Sequence, residues 1–291
     1  MTPQFTALFA AVRALHLASL MILFGSALLL ARLGAVVPEL AIESRGLRQA
    51  RLAAMVLALV SAPLWLALAA AQMTGARSAM TDPATLELIL RQTLFGQMLA
   101  ARILLLLGLA AALVVRREAA AMLLSALALA SISATSHAAA ASPSGFAPLG
   151  IAGDALHLIC AGLWLGGLAV LAAIVTQRPE ATRLRQAVSL FADWGMIAVA
   201  LLALTGLLNT ATIILGGEGQ AARLYLGVLG AKLVLVLAMV ALALVNHFRL
   251  LPRLGEPAAR ATLKGNIAWE LGLGVAAVAA AGLLGLLPPT F

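Results

Sequence analysis

The chain has 291 residues, of which 63% are hydrophobic and 10% charged, and its mean hydropathy is +1.07. That excludes an ordinary soluble domain, in which apolar residues make up about half of the chain. The formal net charge of +8 is spread over short connections between apolar runs, the pattern by which basic residues orient membrane helices, so no nucleic-acid partner is expected.

A helix that crosses a bilayer needs about 20 predominantly apolar residues. Eight such stretches follow one another here. The first, 10–33, contains "RALHLASLMILFGSALLL" with Arg13 and His16; no basic cluster precedes it and no small-residue cleavage site follows it, so no signal peptide is expected. The second is 50–73, and the third, 93–115, carries Arg102 in "LFGQMLAARILLLL". The fourth, 119–136, runs out at His137 in "ATSHAAAASPSGFAPLG", whose serines, prolines and glycine mark a loop. The fifth, 154–176, begins "DALHLICAGLWLGGL", with Asp154, His157 and Cys160 at three-residue spacing. The sixth, 187–215, holds Asp193 early and Asn209 late, and "GGEGQ" after it reads as a turn. The seventh, 224–248, carries Lys232 in "YLGVLGAKLVLVL" and ends near Asn246 and His247; the eighth, 267–286, has Glu270 near its start.

The connections after odd-numbered spans hold Arg32, Arg45, Arg48, Arg51, Arg116, Arg117, Arg178, Arg183, Arg185, Arg249, Arg253, Arg260 and Lys264. The other side has only Arg13, Arg77, Arg91 and Arg223. Thirteen against four places the odd-numbered connections in the cytoplasm and both termini outside. The connections are too short for a soluble domain, so residues 1–291 read as a single membrane domain. A lone cysteine excludes an internal disulfide and a multi-cysteine zinc site.

The chain also repeats itself. Residues 13–30 align without gaps to "DALHLICAGLWLGGLAVL" (154–171), sharing Ala-Leu-His-Leu and a glycine nine residues after the histidine. A weaker echo relates the third span to the seventh, each with one cation, Arg102 or Lys232. The expected fold is therefore all-α and polytopic: eight transmembrane helices as two parallel four-helix repeats, 1–136 and 137–291, related by an axis along the membrane normal. On that reading Arg13 and Asp154 are level and are expected to pair, and His16, His137 and His157 share one depth near the outer face.

Asp154, His157, Cys160 and Trp164 fall on one face of a helix. Titrating groups at membrane depth are costly and usually face the bundle, where they mark a path or a site. Each has a bland role too: a histidine bonded to a neighbouring helix, an acid at a helix start, a small packing thiol. Three histidines at one level favour a site. Imidazole suits copper, zinc, iron and nickel, whereas thiolate and thioether select cuprous ion; Met21, Met73, Met80 and Met98 map to the same half but serve packing as readily. His247 reads as interfacial, at a helix C-terminus. No nucleophile elbow, phosphate loop, zincin signature or haem-attaching cysteine pair is present.

The second half resembles the copper resistance D (CopD) family of bacterial inner-membrane proteins, through "SHAAA" (136–140), "DALHLICAGLWLGGL" (154–168), "LTGLLNT" (204–210), "YLGVLGAKL" (225–233), "VNHFRLLPRL" (245–254) and "AWELGLG" (268–274). The first half resembles it only through its "LFG…R" segment and hydropathy. The resemblance implies a polytopic protein that handles periplasmic copper beside a periplasmic copper-binding partner, with the histidines of "SHAAA" and "DALHL" falling on His137 and His157.

Three functions follow as expectations. In the first, a copper ion is bound by His16, His137 and His157, with Asp154 offsetting charge and Cys160 receiving the ion, and moves toward the cytoplasm past Asn209, Asn246, Asp193 and Glu270. Arg102 and Lys232 oppose a purely cationic path unless they snorkel outward or pair with acids. In the second, imidazoles from two helices clamp a haem b whose propionates meet an Arg or Lys, and the protein oxidises quinol and passes electrons to periplasmic copper. In the third, the chain is a scaffold for a periplasmic copper chaperone.

Overall fold

A computed structural model describes residues 2–40, 43–136, 147–216 and 223–288. The described residues are almost entirely helical: α1 (Pro3–Val36), α2 (Arg45–Thr74), α3 (Pro83–Gln92), α4 (Leu94–Val114), α5 (Glu118–Ala130), α6 (Ala147–Thr176), α7 (Ala181–Gly216), α8 (Arg223–Val245) and α9 (Pro257–Leu284). Eight helical segments are long and apolar enough to cross a membrane, matching the eight spans expected. The α5 span reaches that length by continuing through a 3₁₀ turn, Ser133–Thr135.

The helix starts follow from local chemistry. Thr2, Ser44, Asp82 and Thr93 each accept a hydrogen bond from a backbone N–H in the first turn they precede, and proline opens α1, α3 and α9, where its missing N–H has no helical partner to lose. Thr85 donates from both its N–H and its hydroxyl to Asp82, which holds that carboxyl below the usual carboxylate range. α2 stops at Gly75, whose φ of +73° is the left-handed conformation that glycine adopts without strain.

α3 is an addition to the expected set. Ten residues are too few to cross a membrane, and "PATLELILRQ" sets Leu86, Ile89 and Leu90 against α2 and α4 with its polar residues outward. Residues 74–93 therefore form a helical cover rather than a plain loop.

α1 is the central helix, packed against α2, α5, α6 and α9. Its contact with α6 is the most intimate in the bundle: a Cβ added to Gly166 would lie 2.6 Å from Gly25 Cα, and one added to Gly25 would lie 2.8 Å from Gly166 Cα. Small residues let helix backbones approach closely in lipid, where no hydrophobic force drives the helices together. These are the two glycines that stand nine residues after the paired histidines. Other contacts recur between halves: α1 packs on α2 and α5, and α6 on α7 and α9; α4 packs on α5, and α8 on α9. Among the described residues α7 and α8, though consecutive, barely touch.

The bundle has a basic end, carrying the α1–α2, α4–α5, α6–α7 and α8–α9 connections, and a histidine end. At the basic end the buried Arg51 donates to Glu43 at 3.0 Å and to Glu118 at 2.8 Å, so one guanidinium joins the α1–α2 connection to the start of α5.

Candidate functional site: two histidine pockets and a buried acid

His16 on α1 places Nδ1 2.8 Å from the Ser61 hydroxyl of α2, and that hydroxyl lies 3.2 Å from the Ala58 carbonyl. A hydroxyl carries one proton. Donating it to the carbonyl obliges the imidazole to donate from Nδ1, which leaves a lone pair on Nε2. Nε2 of His16 is buried and has no hydrogen-bond partner.

His157 on α6 repeats this arrangement. Its Nδ1 lies 3.0 Å from the Thr205 hydroxyl of α7, which donates to the Leu201 carbonyl at 2.6 Å. Its Nε2 is likewise set as the basic nitrogen, and His157 as a whole is partly buried. Fixing a tautomer through the other ring nitrogen is how proteins prepare an imidazole to bind a metal. Gly206 faces the ring, and a Cβ there would touch His157 Cε1 at 3.4 Å.

The surroundings of the two imidazoles differ in charge. Beside His157, Asp154 accepts from the Asn209 amide at 3.1 Å and from Ser136, and the partly buried Lys232 acts electrostatically on both Asp154 and His157. Ser136 is the last described residue before His137, which itself lies outside the described residues. Beside His16, Trp65 meets the imidazole edge-on at 5.4 Å between centroids, and the guanidiniums of Arg13 and Arg102 lie 5.0 and 5.5 Å from the same indole ring. Arg102 is 2% exposed and donates from Nε to Ser131 at 2.8 Å, so it is held inside the bundle rather than snorkelling outward.

The expected Arg13–Asp154 ion pair does not form. Arg13 donates instead to the Gly285 carbonyl at 2.9 Å, at the C-terminal end of α9 where the helix dipole attracts a cation, and Trp65 draws it the same way. Among the described residues no ion pair joins either Arg13 or Arg102 to a carboxylate.

Of the three expected histidine ligands, His137 lies outside the described residues, among which no three His, Cys, Asp or Glu side chains gather in a way that could hold a metal ion. His16 is tied to α2 and His157 to α7. The expected stripe on α6 does face the bundle: Asp154 and His157 turn to α7, and Cys160 and Trp164 are buried. Met21 is buried in the core, against which Met80 also packs, whereas Met73 is exposed.

A second polar group lies toward the basic end. Glu270 is 1% exposed and accepts from the Asn246 amide at 2.6 Å; Asn246 in turn accepts from Asn266 at 2.7 Å, and the Trp164 side chain also hydrogen-bonds Glu270. Asp193 stands apart on an exposed face of α7 and joins neither group.

Ser61, Trp65 and Thr205 belong to the pockets without having been singled out in the sequence. Setting "SAPLW" (61–65) beside "TGLLN" (205–209) would have revealed them, since it pairs Ser61 with Thr205 and Trp65 with Asn209. His247, expected at an interface, stands just after α8 and is partly exposed, with its Nδ1 buried and unpartnered beside the group around Glu270.

Residues 2–145 match a family model described as the copper resistance protein D-like N-terminal domain, and residues 185–284 match one described as copper resistance protein D. No curated protein and no solved structure matches the chain.

Proposed function

Because the chain belongs to the copper resistance protein D family, a family of copper-resistance membrane proteins, we propose that it binds periplasmic copper at its histidine end and moves it toward the cytoplasm. The observation that carries this reading is His157, whose Nδ1 is committed to Thr205, which leaves Nε2 as the nitrogen with the lone pair. Asp154 offsets the ion's charge, and Ser136 brings the chain leading to His137 against Asp154, so His137 is the natural second ligand. His16 holds an equivalent nitrogen in the other half and serves as a separate station rather than a third ligand to the same ion. Cys160, one turn below His157, receives the ion next, and Trp164, a further turn along α6, reaches the Asn246–Glu270 pair toward the basic end.

The excess of basic residues on one end supports a cytoplasmic basic end and periplasmic termini in a bacterial inner membrane. The recurring helix contacts and the Gly25–Gly166 crossing support two four-helix repeats, 1–136 and 137–291, about an axis between α1 and α6. A periplasmic copper-binding protein is the partner this orientation calls for.

Thr205→Val tests the ligand assignment directly. It keeps the side-chain shape but removes the acceptor that fixes the His157 tautomer. Copper affinity is expected to fall roughly 10- to 100-fold, the usual range for losing such a partner, while His16 continues to bind as before. Competition against a chelating indicator on the purified protein measures it, and unchanged affinity would count against His157 as the ligand.

A second reading is favoured by the first-half pocket. His16 offers a buried lone pair beside two guanidiniums without a carboxylate partner among the described residues. Those donors fit a haem b, which needs an axial imidazole and carries two carboxylates; bound there, haem would supply one-electron chemistry. His16 would then ligate, and Arg13 and Arg102 would hold the carboxylates. An absorption spectrum of the purified protein decides between the readings: a Soret band lost in His16→Ala supports haem, whereas a colourless protein that takes up copper supports transport alone.

A further inference from the structure

A cavity of about 240 Å³ lies among α6, α7, α8 and α9. Its walls are apolar, including Leu168, Phe191, Val199, Val240, Leu263 and Ile267, but Glu270, Asn246 and His247 also line it. At this polar margin Glu270 is 1% exposed and Nδ1 of His247 is buried without a partner. Asn246 and His247 begin a five-residue π-helical turn, Asn246–Leu250, and such turns concentrate at functional sites because the extra residue redirects side chains.

The way in is lateral. Met196 on α7 and Leu244 on α8 line the cavity yet are 49% and 47% exposed, and those two helices barely touch, so the space opens between them toward lipid. A hydrated cation does not arrive from hydrocarbon, and the apolar walls cannot replace its water. An acyl chain would fit the walls but leave the carboxyl, amide and imidazole without a use. The chemistry that uses both is a neutral ring carrying oxygens that accept a hydrogen bond when oxidised and donate one when reduced. A cavity of roughly 150 Å³ already accommodates benzene, so this one takes a substituted six-membered ring.

We propose that this cavity is the binding site of a lipid-soluble quinone or its quinol, with the ring between α7 and α8 and its oxygens bonded to Glu270, Asn246 and His247. The site lies toward the basic end, apart from both histidine pockets, and needs neither copper nor haem to be occupied.

The test uses the full chain in lipid nanodiscs, titrated with a decyl-substituted benzoquinone while tryptophan fluorescence is followed, since Trp164 lines the cavity. Saturable quenching is expected. Ala243→Phe fills the space from α8 and should weaken binding about tenfold or more, equivalent to about 1.4 kcal/mol. Glu270→Gln removes a charge-assisted partner while keeping the shape, and should weaken binding of the reduced ring about tenfold. Decanol, which has the tail without the ring, should not compete. Quenching without saturation, undiminished binding in both variants, or equal competition by decanol would each overturn the proposal, the last marking the space as an acyl groove. Should Ala243→Phe elute as an aggregate, Val199→Phe places similar bulk from the opposite wall.

Discussion

Gly166→Leu is expected to prevent the bundle from assembling, or to lower its melting temperature by roughly 10 °C or more in a lipid-like detergent. The leucine has nowhere to go: its Cβ alone would meet Met21 O at 2.5 Å and Gly25 Cα at 2.6 Å, atoms of backbone that no side-chain rotation can move aside. α1 and α6 must then separate, and α1 is the helix on which α2, α5 and α9 also rest. Overpacking a core costs typically 1–3 kcal/mol where side chains can adjust. Here they cannot, so the upper end of that range is a floor, and about 3 kcal/mol corresponds to roughly 6–12 °C in a chain of this order of size. Gly230→Leu on α8 is the control, because an added Cβ there meets nothing within 4 Å. It should leave elution and melting unchanged. Thermal melts of both variants decide the matter, and equal melting would show that the α1–α6 crossing is not the support described.

His157→Ala carries the largest functional effect. Removing the ligand itself should weaken copper binding at the Asp154 pocket by more than the roughly 100-fold upper figure for losing a supporting partner, whereas folding should survive because His157 is only partly buried and bonds a single hydroxyl. The freed Thr205 hydroxyl keeps its bond to Leu201, so no buried donor is stranded. Copper titration of the purified protein, beside uptake by membrane vesicles, is the measurement. Retained stoichiometric binding in His157→Ala would move the site elsewhere. Loss in His16→Ala with retention in His157→Ala would assign copper to the first half, against the order proposed here.

The helices were legible in the sequence for a physical reason: hydrocarbon forces every spanning segment to be both long and apolar, so each announces itself over about 20 residues. α3 escaped because ten amphipathic residues make no such signal. The kinship of the two histidines was legible too, since the Ala-Leu-His-Leu repeat pairs His16 with His157 and each bonds a hydroxyl of the helix that follows its own. Direction around the axis was not. Arg13 and Asp154 occupy corresponding positions, but equivalence says nothing about which neighbour a long guanidinium reaches, and Arg13 reaches the end of α9. The hydroxyls that set the imidazole tautomers were hidden because Ser61 and Thr205 look like ordinary small residues of a membrane helix until the histidine faces them. The π-turn at His247 was hidden because such a turn has no sequence pattern comparable to the 3.6-residue helical period.

α8 rests chiefly on α9 and keeps most of its length outside the protein interior. A helix docked along one line is a panel on a hinge, and its far side is bounded by acyl chains instead of side chains. The free energy of swinging it outward is therefore shared with the bilayer: chain packing, thickness and lateral pressure all enter, whereas the α1–α6 spine feels none of them directly. Hinge motions of such elements fall in the microsecond-to-millisecond range. Two membranes of different lipid composition should thus give the same protein the same spine and different exchange rates for whatever lodges behind the panel.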